Sequence, residues 1–338
     1  DDKVMLAANL MAMLLLKRTV VDAGGQLDRD VIFLATSDEE AGGSDGIKWV
    51  VREHKDLIDA EFAINEGGRT RIIEGGRRYL AIQTAEKIPH SVTVTARGPA
   101  GHAAIPLAGN AIFRLGRALA RLADYREPVT LTETTRRFFG ELSKIWPDQA
   151  QRAAMADLVS GDPAAAERAE QVLSAVPVFN AVVRNGISAV KLAGGVAGNV
   201  IPAEASATLN VRTIPGYSIE DVVSRMEKCV DDTDVTLAIA AHGSEAPASD
   251  TASPMFDAIA GAALEIDPEL TIVPYLSTGA TDSAHLRRIG IQSYGILPFP
   301  MEQADEERMH GHDERVSIES FHFGTRLIFE SVKRVATQ

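Results

Sequence analysis

Asp38-Glu39-Glu40, with Gly42, Gly43 and Gly46 close behind, is the stretch whose residue types could do chemistry. Adjacent carboxylates in a dry site repel one another strongly, so such a group calls for a compensating cation. A divalent metal supplies that charge. Carboxylates bind zinc at ~2.0 to 2.2 Å, and a carboxylate outside the ligand set can take a proton from water on the ion. The same tripeptide also suits a solvated acidic turn that caps the next helix, and taken alone it leaves both readings open. Further candidates are Asp1-Asp2-Lys3, Glu66 and the run His310-Gly311-His312-Asp313-Glu314. Each alone reads as a cap, a solvated acid or surface polarity. Together they share one property, placement at the ends of segments.

Those segments are legible. Residues 31–36, VIFLAT, form a short apolar run of central-strand type, which puts Ser37-Asp38-Glu39-Glu40 at a strand's carboxyl end, where open α/β sheets bind ligands. A helix over 46–54 leads to a second apolar stretch at 62–64, ending in Asn65-Glu66-Gly67-Gly68. Upstream, good helix formers over 4–21 stop at Gly24-Gly25 and predict a helix buried on most of its surface. Beyond Ala85 the pattern becomes alternating at 90–96, then helical over 110–125 and, with breaks at Pro147 and Gly161-Asp162-Pro163, over 127–180. Further alternation at 187–192 and 205–212 predicts an antiparallel sheet carrying helices on one face. An α/β pattern then resumes with a helix over 218–231, strands near Val235 and Ile272, and a closing helix over 318–335. The expected division is a discontinuous α/β domain, 1–86 and 215–338, with an inserted α+β domain at 87–214.

Bulk composition agrees with two soluble domains. At 338 residues the chain exceeds the size at which one core keeps growing. A formal charge of -13 and a pI near 5.1 argue against a nucleic-acid partner, since phosphate binding relies on clustered Lys and Arg. The single cysteine, Cys229, rules out an internal disulfide framework, reads as a small buried hydrophobe, and leaves the compartment undecided. The most apolar segment, 4–16, is too short to span a bilayer and lacks the flanks of a signal peptide, so no membrane partner is expected. No Met opens the chain, and an upstream segment is expected.

The candidates match a known pattern. The chain resembles the two-zinc aminoacylase and carboxypeptidase family that includes glutamate carboxypeptidase, succinyl-diaminopimelate desuccinylase and acetylornithine deacetylase. The resemblance is carried by Asp1-Asp2-Lys3, Thr36-Ser37-Asp38-Glu39-Glu40, Asn65-Glu66-Gly67 and Gly98-Pro99-Ala100-Gly101-His102 with Pro106 and Asn110-Ala111. It continues through Gly198-Asn199-Val200-Ile201-Pro202, Asn210-Val211-Arg212, Gly279-Ala280-Thr281-Asp282, and His310 with Glu314. These stretches occur in the family's order from the first residue almost to the last.

The resemblance implies a three-layer α/β/α zinc-peptidase catalytic domain with an inserted ferredoxin-like lid and dimerisation domain. It implies two zinc ions, with cobalt or manganese able to share such ligands. Asp1 would bridge them, Glu40 and His310 would hold one, and Glu66 the other. Glu39 would be the base that deprotonates the bridging water and then protonates the leaving nitrogen. His102 would reach across a homodimer to stabilise the oxyanion, and Arg212 would clamp the substrate's α-carboxylate. By the same resemblance Asn199, Gly279 and Thr281 would complete the substrate contacts.

One departure stands out. The family carries a His-x-Asp motif upstream of the position matching Asp1, giving a zinc ligand and the carboxylate that orients the base. This sequence starts after that point, and neither His54 nor His90 lies in a matching context. Were that part absent from the molecule, weak metal binding and no useful activity are expected. The implied reaction is hydrolysis of an amide bond beside a free carboxylate. Thr84-Ala85-Glu86-Lys87 and Arg136-Arg137-Phe138-Phe139 resemble the vacuolar and secreted carboxypeptidase branch, which takes apolar dipeptides or N-acyl amino acids. A deacylase or desuccinylase of an acidic acyl group, and a non-catalytic dimeric relative, are the alternatives.

Overall fold

The computed structural model describes residues 2–337 and divides into two compact units. Its strands, in chain order, are β1 Phe62–Asn65, β2 Arg69–Ile72, β3 Arg78–Glu86, β4 Ile88–Arg97, β5 Gly101–His102, β6 Gly186–Gly194, β7 Val200–Ile201, β8 Glu204–Thr213, β9 Val235–Ala241, β10 Thr271–Ser277 and β11 Gln292–Gly295.

The first unit comprises Asp1–Glu86, Leu131–Val182 and Ala246–Gln338. Its sheet runs β1-β11-β3-β10, with β2 also paired to β3; the β1–β11 and β10–β3 pairings are parallel. Almost every residue of β3 is buried, as expected of a strand covered on both faces. Leu80 and Ile82, two residues apart and so on one face, join Met5, Ala8, Ile259, Tyr294 and Leu327 in the main apolar cluster. A smaller cluster of Ile47, Ile58, Leu286 and Ile291 ties helices Ile47–Glu53 and Ser283–Arg288 to the unit. This is a mixed α/β architecture with covering helices.

Two expectations fail here. Residues 31–36 form no strand; with Val31, Ile32, Phe33 and Leu34 they line a cleft of about 640 Å³, whose other walls include Phe62 and Ile64 of β1. Composition alone does not make a strand, which needs a paired backbone ladder: the run stays unpaired, with Ile32 and Leu34 exposed, although β1 is an edge strand bonded on one side to β11. The first helix, Lys3–Leu16 with a π-turn through Val21, buries only one stripe: Met5, Ala8, Ala12, Leu16 and Val20, spaced as one helical face. Leu6, Leu10, Met11 and Leu14 are exposed. As one 19-residue helix it is long and apolar enough to cross a membrane by length and composition alone, while its buried stripe packs into the unit's core.

The second unit comprises Lys87–Thr130 and Val183–Glu245. It is an antiparallel sheet, β6-β8-β4-β9, with helices Ala111–Asp124 and Ile219–Val230 on its apolar face. Asn110 and Ser218 cap these helices through their side chains. The division differs from the expected insert at 87–214. Helices Glu133–Ile145, Gln149–Val159 and Pro163–Leu173 belong to the first unit, and the helix Ile219–Val230 with β9 belongs to the second. The reason is pairing at long range: β9 hydrogen-bonds along β4, some 140 residues earlier, a contact that local pattern does not encode.

Candidate active site

The Glu39 loop is built around Asp38. This residue adopts a left-handed backbone, φ 50°, and its Oδ2 accepts the Asp45 N–H at 3.1 Å. Gly43 N–H closes back on the Asp38 carbonyl at 2.8 Å. Gly46 is needed because a Cβ there would stand 2.0 Å from the Ser37 carbonyl oxygen. Asp38 thus serves the turn, and Glu39 and Glu40 are left to open the short helix Glu39–Ala41.

Glu66 follows the last residue of β1, and Asn65 beside it donates to Ser283 Oγ at 3.1 Å. His310 sits in a loop far along the chain, with φ 58°. That loop is held to the sheet by Glu306, which pairs with Arg71 and, at 2.9 Å, with Arg69. His310 Nδ1 comes to 3.5 Å from Glu40 Oε1, joining residues 270 positions apart in sequence. Asp1 lies outside the described residues.

The electrostatics show crowding of like charge. Burial, then Glu39, Asp2 and Glu86, push Glu66 up to about 8. Burial, then Asp282, Glu40, Asp2 and Glu86, push Glu39 up to about 7. Asp2 is raised to about 6, mainly by burial, with Asp282 and Glu40 adding to it. Burial also raises Asp282, against the hydrogen bond that its Oδ2 accepts from Thr36 at 2.7 Å. Among the described residues no three His, Cys, Asp or Glu side chains stand close enough to hold an ion by themselves. The donor types nevertheless fit a divalent cation: carboxyls raised by burial and by one another at Glu39 and Glu66, with the His310 imidazole against Glu40, are a set that such a charge would settle.

The remaining candidates fall in two places. Gly279 and Thr281 lie in the loop after β10, where Gly279 N–H bonds Ser277 Oγ at 3.1 Å. His102, Asn199 and Arg212 lie on the second unit. His102 is exposed on β5, opposite Val200 of β7, and Ala103 N–H bonds the Asn199 carbonyl at 3.0 Å, so His102 and Asn199 are neighbours. Arg212 on β8 is half-buried and donates to Asn210 Oδ1 at 3.1 Å. Sequence reasoning gave no role to Asp2, Asp282 or Glu86, although each stands inside a motif it quoted. Adjacency to Asp1 and Thr281 was the available signal for the first two.

Solved structures with this fold include a metallo-carboxypeptidase of Sulfolobus solfataricus, TM-score 0.62 at 18% identity, covering 97% of this chain and 75% of that one. Human carnosine dipeptidase 1 aligns with TM-score 0.62 at 14% identity, over 100% of this chain and 73% of that one. These likenesses define the fold class, a mixed α/β architecture. The chain belongs to peptidase family M20/M25/M40, which it matches over residues 1–334. Its relatives include a probable carboxypeptidase S-like 2 of Dictyostelium discoideum, 26% identical over 95% of this chain and 61% of the relative. Others are the human N-fatty-acyl-amino acid synthase/hydrolase PM20D1, 24% identical over 100% of this chain and 67% of the relative, and rat aminoacylase-1B, 25% identical over 95% and 67%. The chain thus spans between three fifths and two thirds of the length of these curated relatives.

Proposed function

We propose that the full-length protein hydrolyses an amide bond beside a free carboxylate, in an N-acyl amino acid or at the C-terminal residue of a peptide. The observation that carries this reading is the meeting of His310 with Glu40 beside the raised carboxyls of Glu39 and Glu66. Family membership and the relatives' names support the same chemistry.

Asp1, Glu40 and His310 would hold one zinc ion, and Asp1 with Glu66 another; cobalt or manganese suits the same donors. Such ions, when bound, polarise a carbonyl and make water more acidic. The chain's own groups do the rest. Glu39 takes a proton from the attacking water on its carboxylate and returns it to the leaving nitrogen, so the amide is exchanged for an acid and an amine. Arg212 would meet the substrate carboxylate with a planar fork of donors, and Asn199, Gly279 and Thr281 are further proposed substrate contacts. His102 donates to the developing oxyanion of the partner subunit's site.

A homodimer through the second unit suits its surface. β6 is an edge strand whose Val190 and Leu192 are exposed, and Ile112 and Phe113 are exposed on the helix Ala111–Asp124. The test is to purify the full-length gene product, measure its zinc, and screen N-acyl amino acids against dipeptides. Zinc-dependent turnover of either class is expected. A zinc-loaded protein that hydrolyses neither would overturn the reading.

A further inference from the structure

Glu86 ends β3 inside the first unit, and it is buried together with the cation it faces. Its side chain is 3% exposed and that of Arg287 2%, with Arg287 Nη2 at 3.2 Å from Glu86 Oε1. A buried pair of this kind is weak evidence for stability in itself. What Glu86 accepts besides Arg287 is more informative. Thr281 donates its hydroxyl to Oε1 at 2.5 Å and its backbone N–H to Oε2 at 3.3 Å. Gln83 donates to Oε1 at 2.5 Å.

Thr281 belongs to a loop that is tied to both acid-bearing segments. Its neighbour Asp282 accepts from Thr36, three residues before Glu39, at 2.7 Å. Ser283 accepts from Asn65, next to Glu66, at 3.1 Å, and Ser283 N–H bonds Thr281 Oγ1 at 3.2 Å. Gln83 reaches the same place from below: a Cβ on Gly67 would fall 2.2 Å from Gln83 Oε1, so its amide lies against the backbone just after Glu66. Arg287 closes the circuit by donating to the Ser293 carbonyl at 3.2 Å, while Ser293 Oγ bonds Ser283 Oγ at 3.0 Å.

We infer that Glu86 is a positioning residue: by anchoring Thr281 and Gln83 it sets where the loop 279–283 holds the Glu39–Glu40 segment relative to Glu66. The inference rests on the metal-dependent reading of that site. Partners that orient metal ligands without touching the metal typically carry ~10- to 100-fold in affinity or activity.

The test compares three variants of the full-length protein by zinc affinity from chelator competition, thermal midpoint without metal, and kcat and KM. Glu86→Gln is expected to weaken zinc binding and lower kcat, each by ~10- to 100-fold. The double variant Glu86→Gln/Arg287→Met removes both buried charges, so its midpoint should recover while zinc affinity and kcat stay low. Thr281→Val keeps the charge pair and should still weaken zinc binding. If the double variant regained wild-type zinc affinity, Glu86 would only neutralise Arg287. Wild-type zinc affinity in Thr281→Val overturns the inference equally, whether or not the double variant folds, and so does a wild-type protein that binds no zinc. Because affinity is read without substrate, a wild type that binds zinc yet hydrolyses nothing counts against the proposed reaction alone.

Discussion

Glu127, buried in the second unit, and Glu66, half-buried in the first, are carboxylates whose surroundings drive them in opposite directions. Burial alone would push Glu127 up, but donors outweigh it. Arg225 grips both oxygens at 2.9 and 2.7 Å, with Tyr125 at 2.6 Å and Asn185 at 2.8 Å, and the carboxyl is held below its usual range. Glu66 is pushed up by burial and by other acids, Glu39, Asp2 and Glu86, against the opposing charge of Arg69, and stands near 8. The lesson is that burial alone does not decide which way a carboxyl shifts. The sign of its neighbours does.

That contrast can be broken by mutation. The largest effect belongs to the crowded cluster: Glu39→Gln in the full-length protein should cut kcat by ~10⁴-fold or more, the upper range for general acid–base groups, because one carboxylate serves both as base and as acid. Steady-state kinetics on the best substrate checks this. Retention of most of kcat would reduce Glu39 to a helix cap. Next, mixing His102→Ala subunits with Glu39→Gln subunits should restore part of the activity, since one intact site would combine His102 from one chain with Glu39 from the other. No recovery after verified subunit exchange would remove the trans assignment.

The satisfied carboxylate should behave differently. Arg225→Met leaves Glu127 buried without its cation, and denaturant unfolding should show a loss of about 2 kcal/mol, below the ~3 to 5 of a fully buried pair because Arg225 is 34% exposed. Zinc affinity should not change. The smallest effect is expected at His90 of the second unit. Its Nδ1 accepts Gly243 N–H at 3.0 Å, its Nε2 faces Thr213 Oγ1 at 3.0 Å, and burial, then His242, lower its pKa from 6.5 against the pull of Glu220. The unfolded chain therefore binds more protons just below pH 6.5, and stability falls as pH drops through that window. Midpoints of wild type and His90→Asn from pH 5 to 7 isolate this slope. Parallel curves would remove it.

Much of the site could be read from the chain because its parts are local. Glu39-Glu40 and Asn65-Glu66 are short polar ends on apolar runs, and the run at 62–64 became β1. Where the reading failed, the cause was pairing between distant residues. Residues 31–36 have a strand's composition without a strand's partner, and β9 was assigned to the wrong unit because its ladder to β4 lies far away in sequence. Glu86 was invisible for the same reason: Thr281 and Arg287, which give it meaning, come some 200 residues later.

The central claim is that the crowded carboxylates are a metal site in which Glu40 is a ligand and Glu39 is not. Zinc bound per chain, measured on full-length wild type, Glu40→Gln and Glu39→Gln at equal free zinc, tests it most directly. Glu40→Gln should lose zinc while Glu39→Gln keeps the wild-type amount. Equal retention in both, or equal loss from both, would contradict the account.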